Sequence, residues 1–379
     1  MHVRFLHSSD WQLGVTRRFL SEDAQARWSA ARLDAIRELG RVAVEERCEF
    51  VVAAGDVFES NQVDRRTVAR ACEALAAIPV PVFLLPGNHD PLDAANVYRS
   101  ATWSAKKPGH VHVIEELGRP VEVRPGVEVA GAPWTSKRPL RDLVAAAAEE
   151  LAPLAGGVRV LVAHGAVDML SPDPDEPAAI RVGDAERAIA EGRFHYLALG
   201  DRHSLTRVAE SGRIWYSGTP EAYDFDEVDP GHALVVEVGP EGVVTAPRRV
   251  GAWRFIEERA EVSSAADVEA LARRLESLPG KERTVLKIGL MGTLTIRQRA
   301  RLDEVVDHAC DLFAAVVHSQ SGSDLAVVPD DSDFADLALA GFAAEAVERL
   351  RARALAPGPE AAVARDALAL LVRLVGRSA

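Results

Sequence analysis

Aspartate, asparagine and histidine recur at five places in this 379-residue chain where an apolar run gives way to a polar one. These are SSDWQLG (8–14), AAGDVFE (53–59), LPGNHD (85–90), VAHG (162–165) and LGDRH (199–203), with Gln12 as the odd member. Imidazole and carboxylate together suit manganese, iron or zinc better than calcium, so the set carries the ligand chemistry of a divalent transition-metal site. In α/β sheets, ligand sites gather where strands end, so five such endings can bring their polar residues to one place.

Each residue has a natural part in such a site. Asp10 and Gln12, two apart in a strand or its extension, point the same way and face one metal. Asp56 follows Gly55 at a strand-to-loop turn and has two carboxylate oxygens, which makes it the bridge between two metals roughly 3.5–4 Å apart. Asn88 offers a carbonyl oxygen to the second metal, and His164, Asp201 and His203 complete the two sets. His89 is placed to contact a phosphate oxygen or to protonate a leaving alkoxide, with Asp90 expected to orient its ring. Phosphate-ester hydrolysis suits this arrangement, the two cations neutralising the substrate and activating a water for in-line attack. The sequence offers no convincing Ser-His-Asp arrangement, no P-loop and no glycine-rich dinucleotide fingerprint.

The elements that must position these residues are legible as apolar runs. Residues 3–7, 50–54, 80–85, 158–164 and 196–199 read as buried strands, with helices at 23–47 and 64–77 between them. Further strands are expected at 127–132, 214–217, 233–238 and 243–250. Two packed sheets with flanking helices are the layered solution for such a pattern. A second unit begins near Trp253, with strand 254–262, helix 265–278, a Pro279-Gly280 turn, strand 284–290, helix 296–313 and strand 314–319. From Asp333 the chain is alanine-rich and helical to about residue 355, breaks at Pro357-Gly358-Pro359 and resumes to about 375. The expected division is therefore 1–250, 251–330 and 331–379.

Composition bounds the function. A chain of this length that is 48% hydrophobic can bury a large core in two or three domains. Cys48, Cys72 and Cys310 are too scattered for a zinc ribbon or a disulfide framework and read as reduced structural residues. No basic leader opens the chain and no uncharged segment reaches spanning length, so a cytoplasmic protein without a membrane partner is expected. A formal charge of -13 opposes indiscriminate binding to a polyanion, so any contact with nucleic acid needs a local basic face.

The motif set resembles the calcineurin-like metallophosphoesterase superfamily, and within it the SbcD-like DNA repair exonuclease branch. The resemblance rests on HSSDWQLG (7–14), GDVFES (55–60), YLALGDRH (196–203), YSGTPEAYDFDE (216–227) and PGH (230–232), and it covers about residues 1–250. It implies an α/β (α+β) four-layer sandwich, followed by a small α/β capping domain and a C-terminal helix-loop-helix. It also implies two divalent ions, with manganese foremost and magnesium, iron or zinc as alternatives. Asp10, Gln12, Asp56 and His203 would surround one ion, and Asp56, Asn88, His164 and Asp201 the other. The implied partners are DNA, a second copy of the chain, and an SbcC-like SMC-type ATPase that docks on the C-terminal helices.

Two positions depart from the family pattern, which has histidine where this chain has Gln12 and Asp201. A neutral amide oxygen is a weaker ligand, and an added carboxylate is harder and negative, so preference shifts toward manganese or magnesium. The competing reading is a damaged site that binds one metal.

Other candidates are less tightly specified. Glu59 lies near substrate in the resembling family and is otherwise a solvated loop acid. Arg17-Arg18, Arg65-Arg66, Lys106-Lys107 and Lys137-Arg138 suit contacts to a phosphate backbone, and Trp11 or Trp134 a stacked base. His7, His110, His112, His195, His232 and His318 lack a partner at ligand spacing and read as core or surface residues. In the tail, Leu337, Leu339, Phe342, Val347 and Leu350, and then Leu368, Leu370, Leu371 and Leu374, form apolar stripes. These either pack back on the protein's own core or lie in a partner's groove. Three classes of function remain: a DNA exo- or endonuclease within an ATPase complex, a small-molecule phosphodiesterase or phosphatase, and a noncatalytic scaffold.

Overall fold

Alternation along single strands builds the layers of this protein. The computed structural model describes residues 1–171, 173, 175–319, 323–328 and 342–376. The chain forms two compact units, one of residues 1–18 and 22–253, the other beginning at Arg254 and including Phe19–Ser21.

The first unit holds two six-stranded sheets. One contains β1 (Val3–Ser8), β2 (Val51–Ala53), β3 (Val82–Leu84), β4 (Val111–Val113), β11 (His232–Gly239) and β12 (Gly242–Arg249), in the order β12-β11-β1-β2-β3-β4. The other contains β5 (Val121–Arg124), β6 (Val127–Ala132), β7 (Val158–His164), β8 (Tyr196–Gly200), β9 (Thr206–Arg207) and β10 (Ile214–Tyr216), in the order β5-β6-β7-β8-β10-β9. The strands that lead to the five motifs, β1, β2, β3, β7 and β8, lie inside these sheets, and the β1-β2-β3 and β7-β8 neighbours pair in parallel. Their C-terminal ends therefore open on one side within each sheet.

Val3 and Phe5 of β1 face the second sheet, where they meet Val160 and Val162 of β7 and Tyr196 of β8 in the central core. Leu6 turns the other way, into a core with Ile36, Leu39 and Val42 of α1 (Glu22–Glu45) and Val68 and Leu75 of α2 (Arg65–Ala76). The short α3 (Ala101–Lys106) adds Trp103 to that layer. On the outer face of the second sheet, α4 (Leu143–Glu150) and α5 (Val182–Ala190) cover Leu161, Leu197 and Leu199. The result is the four-layer sandwich, and all seven residues of β7 are buried, as a strand covered on both faces requires. Sequence reading misses α4 because LVAAAAEE carries no amphipathic period.

In the second unit, β14 (Thr284–Leu294) lies at the centre of a parallel sheet with β13 (Arg254–Glu261) on one side. On the other, β15 (Ala315–His318) pairs with its first half and β16 (Asp324–Val327) with its second. Helices α6 (Ala265–Ser277) and α7 (Ile296–Leu312) pack on this sheet, and α7 opens with a capping box between Thr295 and Gln298. The tail forms α8 (Phe342–Leu355) and α9 (Pro359–Gly376). Val347, Ala354, Ala364 and Leu368 bury against Ile296, with Leu350 and Leu371 alongside, so part of each apolar stripe packs on its own unit. Leu370 is exposed. Leu337 and Leu339 lie outside the described residues, as do the side chains of Phe342 and Leu374. No helix among the described residues is long and apolar enough to cross a membrane.

Candidate metal centre

Asp10, Gln12, Asp56 and Asp201 all have positive φ, at 55°, 43°, 53° and 95°. Non-glycine residues held there cost roughly 1–3 kcal/mol each, and such strain gathers at functional sites. The surroundings that hold it are visible. Beyond the β1-β2 pair the two chains continue side by side, with the Asp10, Gln12 and Leu13 amides donating to the carbonyls of Gly55 (3.0 Å), Asp56 (2.8 Å) and Val57 (2.9 Å). The chain at residues 10–12 is thus a coiled loop rather than an extended strand. The strand alternation argued for Asp10 and Gln12 does not apply there, and loop-to-loop hydrogen bonds set their directions instead.

Ligand atoms of Asp10, Asp56 and His164, all buried, lie within 4.8 Å of one another. The His164 ring donates from Nδ1 to the Ala54 carbonyl (2.9 Å). Its Nε2 meets three acceptors, Asn88 Oδ1 at 2.7 Å, Asp56 Oδ2 at 3.4 Å and Asp201 Oδ1 at 3.7 Å. Burial alone would lower the pKa of this ring, yet Asp56, with Asp10 and Asp201, outweighs it and holds the ring well above the ordinary histidine value. Asp56 stays below the usual carboxylate range despite burial, because His164 and His89 support its charge. Burial pushes Asp10 and Asp201 up. Anions gathered in a buried place are stable only with a compensating cation.

The neighbouring ring, His203, contacts Gln12 Nε2 at 3.2 Å through Nε2 and Glu227 Oε1 at 3.0 Å through Nδ1. Gln12 is buried, and its Oε1 has no hydrogen-bond partner. An orphaned amide oxygen and a ring nitrogen facing acceptor oxygens both fit a divalent cation, as does a donor set of oxygens with two imidazoles. Glu227 is a residue of this site that the sequence does not signal. It lies in the YDFDE run, and nothing in its spacing to His203 signals the contact.

His89 is about one-third exposed and anchored by its Nδ1 to the Glu59 carbonyl at 2.8 Å, while its amide donates to Asp56 Oδ1 at 2.9 Å. Asp90 does not orient this ring. It is fully buried, accepting from the Gly87 amide (2.8 Å), the Phe58 amide (3.0 Å) and the Tyr98 hydroxyl (2.6 Å), and so ties the second and third motif loops together. Burial, with the charge of Asp56, pushes its carboxyl up to about 6. Glu59 is no freely solvated acid either, since Oε2 lies 3.8 Å from His89 Nδ1 and is buried.

The proposed DNA contacts divide. Arg17 is engaged, its Nη2 donating to the Tyr223 carbonyl (2.9 Å) and Asp224 (3.2 Å), with the guanidinium 3.8 Å above the Tyr223 ring. Lys107 bonds the carbonyls of Pro108 and Val111. Arg18, Arg65, Arg66, Lys106, Lys137 and Arg138 are exposed. Trp11 offers no stacking surface, being 1% exposed with Nε1 on Ser8 Oγ. Trp134 is half-buried and donates to the His164 carbonyl at 2.8 Å. His7 is a core residue, bonded between the sheets to the Tyr196 hydroxyl (3.0 Å) and the Leu199 carbonyl (3.2 Å).

The layered fold and the buried acid-imidazole cluster define a metallophosphoesterase, and the chain belongs to the calcineurin-like phosphoesterase family, whose model matches residues 3–237. It is similar to the SbcD subunit of the nuclease SbcCD of Bacillus subtilis (strain 168), at 26% identity over 287 residues, covering 67% of this chain and 69% of that protein. A shorter similarity links it to the DNA double-strand break repair protein Mre11 of Archaeoglobus fulgidus, 34% identical over 92 residues, which is 23% of this chain and 19% of that one. Among solved structures, TT1561 of Thermus thermophilus aligns with a TM-score of 0.42 at 10% identity, covering 66% of this chain and all of that one.

Proposed function

We propose that this chain is a metal-dependent DNA nuclease that hydrolyses phosphodiester bonds. The observation that carries the proposal is the convergence of Asn88, Asp56 and Asp201 on Nε2 of the buried His164. Similarity to a protein named as part of a nuclease and to one named for double-strand break repair supports DNA as substrate.

In this reading Asp10, Gln12, Asp56 and His203 would hold one divalent ion and Asp56, Asn88, His164 and Asp201 the other, manganese being the expected native metal. Bound there, divalent ions would supply charge neutralisation of a phosphodiester and a more acidic water. Asp56, with its Oδ1 on the His89 amide and its Oδ2 beside His164, would be shared between the two sets. His89, held by the Glu59 carbonyl and partly exposed, contacts the phosphate or protonates the departing alkoxide. Glu59 keeps that ring in place. Arg18, with Arg17 packed beside it on Tyr223, meets the DNA backbone.

The proposed division is a catalytic part at 1–250, a capping part at 251–330 and a partner-binding segment at 331–379. Leu355, Val363 and Leu370 are exposed on the tail helices and suit docking of an SbcC-like ATPase. Dimerisation and a cytoplasmic location complete the reading. The net charge of -13 favours a second one, a phosphodiesterase for small esters.

The test is manganese-dependent hydrolysis of single- and double-stranded DNA, with bis-nitrophenyl phosphate alongside and His89→Ala as control. DNA cleavage that disappears in the variant supports the nuclease. Cleavage of the small ester alone supports the second reading, and cleavage of neither, with the ATPase partner present, sinks both.

A further inference from the structure

We infer that Glu227 is a positioning residue that fixes His203 for metal binding. The inference rests on the two-ion reading and adds to it a residue outside the ligand set. A neutral imidazole coordinates through one lone pair, so its other nitrogen must carry the proton and have an acceptor. Glu227 supplies that acceptor: its Oε1 lies 3.0 Å from His203 Nδ1, and its Oε2 accepts from the Tyr223 amide at 2.8 Å. With Nδ1 turned to the Glu227 carboxylate, which can accept from it, Nε2, the nitrogen beside Gln12, is the ring atom placed to coordinate.

The rest of the network keeps this carboxylate where it is. Its side chain is 3% exposed, too buried to serve as an ordinary surface charge. The Tyr223 ring stands edge-to-face against His203 with centroids 4.8 Å apart, and the Arg17 guanidinium covers it at 3.8 Å. Arg32 lies 5.4 Å from the same ring and is buried against Trp28, with Nε and Nη2 unpartnered. The carboxylates of Glu221 and Glu227 supply the negative charge around it. A buried guanidinium with so few hydrogen bonds is expensive to keep, and its charge offsets that of Glu227. If Glu227 only tied its loop, the bond from the Tyr223 amide would suffice and Oε1 would not be spent on the ring.

The experiment is a Mn2+ titration of the full chain by calorimetry, with electron paramagnetic resonance at two equivalents, on the wild type, Glu227→Ala and Glu227→Gln. The wild type is expected to bind two ions and show a spin-coupled signal. In Glu227→Ala one affinity falls by about ten- to a hundredfold and the coupled signal is lost. Glu227→Gln, whose amide oxygen still accepts from Nδ1, shows a smaller fall at the same site. An alanine variant with both wild-type affinities and the coupled signal overturns the inference; if that variant does not fold, Glu227→Met, which fills the space without an acceptor, does so at wild-type affinities. A wild type that binds two ions but leaves DNA intact removes the nuclease reading alone. A wild type that binds one ion removes the two-ion reading and leaves Glu227 to be judged on that ion, and one that binds none removes both.

Discussion

A Cβ on Gly55 would fall inside the imidazole of His164, against its Nδ1, Cγ and Cβ atoms. Gly55 also holds a φ of +93°, which side-chain-bearing residues rarely adopt. The glycine is therefore what lets the second motif pass beneath the fourth. Gly55→Ala is expected to displace the ring, lower stability by at least about 2 kcal/mol in urea denaturation and weaken Mn2+ binding. Wild-type values in both measurements would show that the ring has room to move.

Much of this arrangement is legible in the sequence because it follows from strand ends. β1, β2, β3, β7 and β8 are largely apolar runs that stop at a polar motif, and β7 is buried throughout because both faces are covered, with Arg159 and His164 as its polar members. The reasons behind the geometry are less legible. Alternation does not govern Asp10 and Gln12, since four site residues occupy the left-handed region, which no spacing rule foresees. Glu227 and Asp90 show the same limit from opposite sides. The partner of His203 lies 24 residues downstream across a loop, and the carboxylate adjacent to His89 in sequence bonds elsewhere, because a buried acid goes to the nearest donors and not to its chain neighbour.

Asp90 holds three hydrogen bonds in a fully buried position, so its loss should appear as instability. Tyr98→Phe removes the 2.6 Å hydroxyl donor and leaves the carboxylate one partner short. The expected cost is about 1.5–3 kcal/mol, as for hydrogen bonds to charged groups, read as a lower urea midpoint with unchanged slope. An unchanged midpoint would mean that water replaces the hydroxyl and that the loops are tied by the Gly87 and Phe58 amides alone.

His7 gives the protein an acid sensitivity away from the metal centre. Burial pushes this ring down to about 3, against about 6.5 for an unfolded histidine. Below pH 6.5 the unfolded chain takes up a proton that the folded chain refuses, so stability falls as pH drops, by about 1.4 kcal/mol per unit until about pH 3. Above pH 7 the group contributes no slope. His7→Gln, which can still bond Tyr196 and the Leu199 carbonyl, should flatten this part of the curve between pH 6.5 and 4.5 in denaturant titrations. If the two proteins lose stability in parallel there, carboxylates set the acid limit and His7 does not.

Gln12 is the most informative single position for the metal reading. Its amide sits 3.2 Å from His203 Nε2, and its oxygen is buried without a partner. As an oxygen donor it binds a divalent transition metal more weakly than an imidazole does, so Gln12→His is expected to raise Mn2+ affinity at this site by roughly tenfold. The gain should be larger for Zn2+ than for Mn2+, because nitrogen donors favour the softer ion. Competitive titration of the two metals against the wild type measures both effects. Equal affinities in the two proteins would mean that position 12 does not reach the ion, leaving Asp10, Asp56 and His203 to hold it unaided.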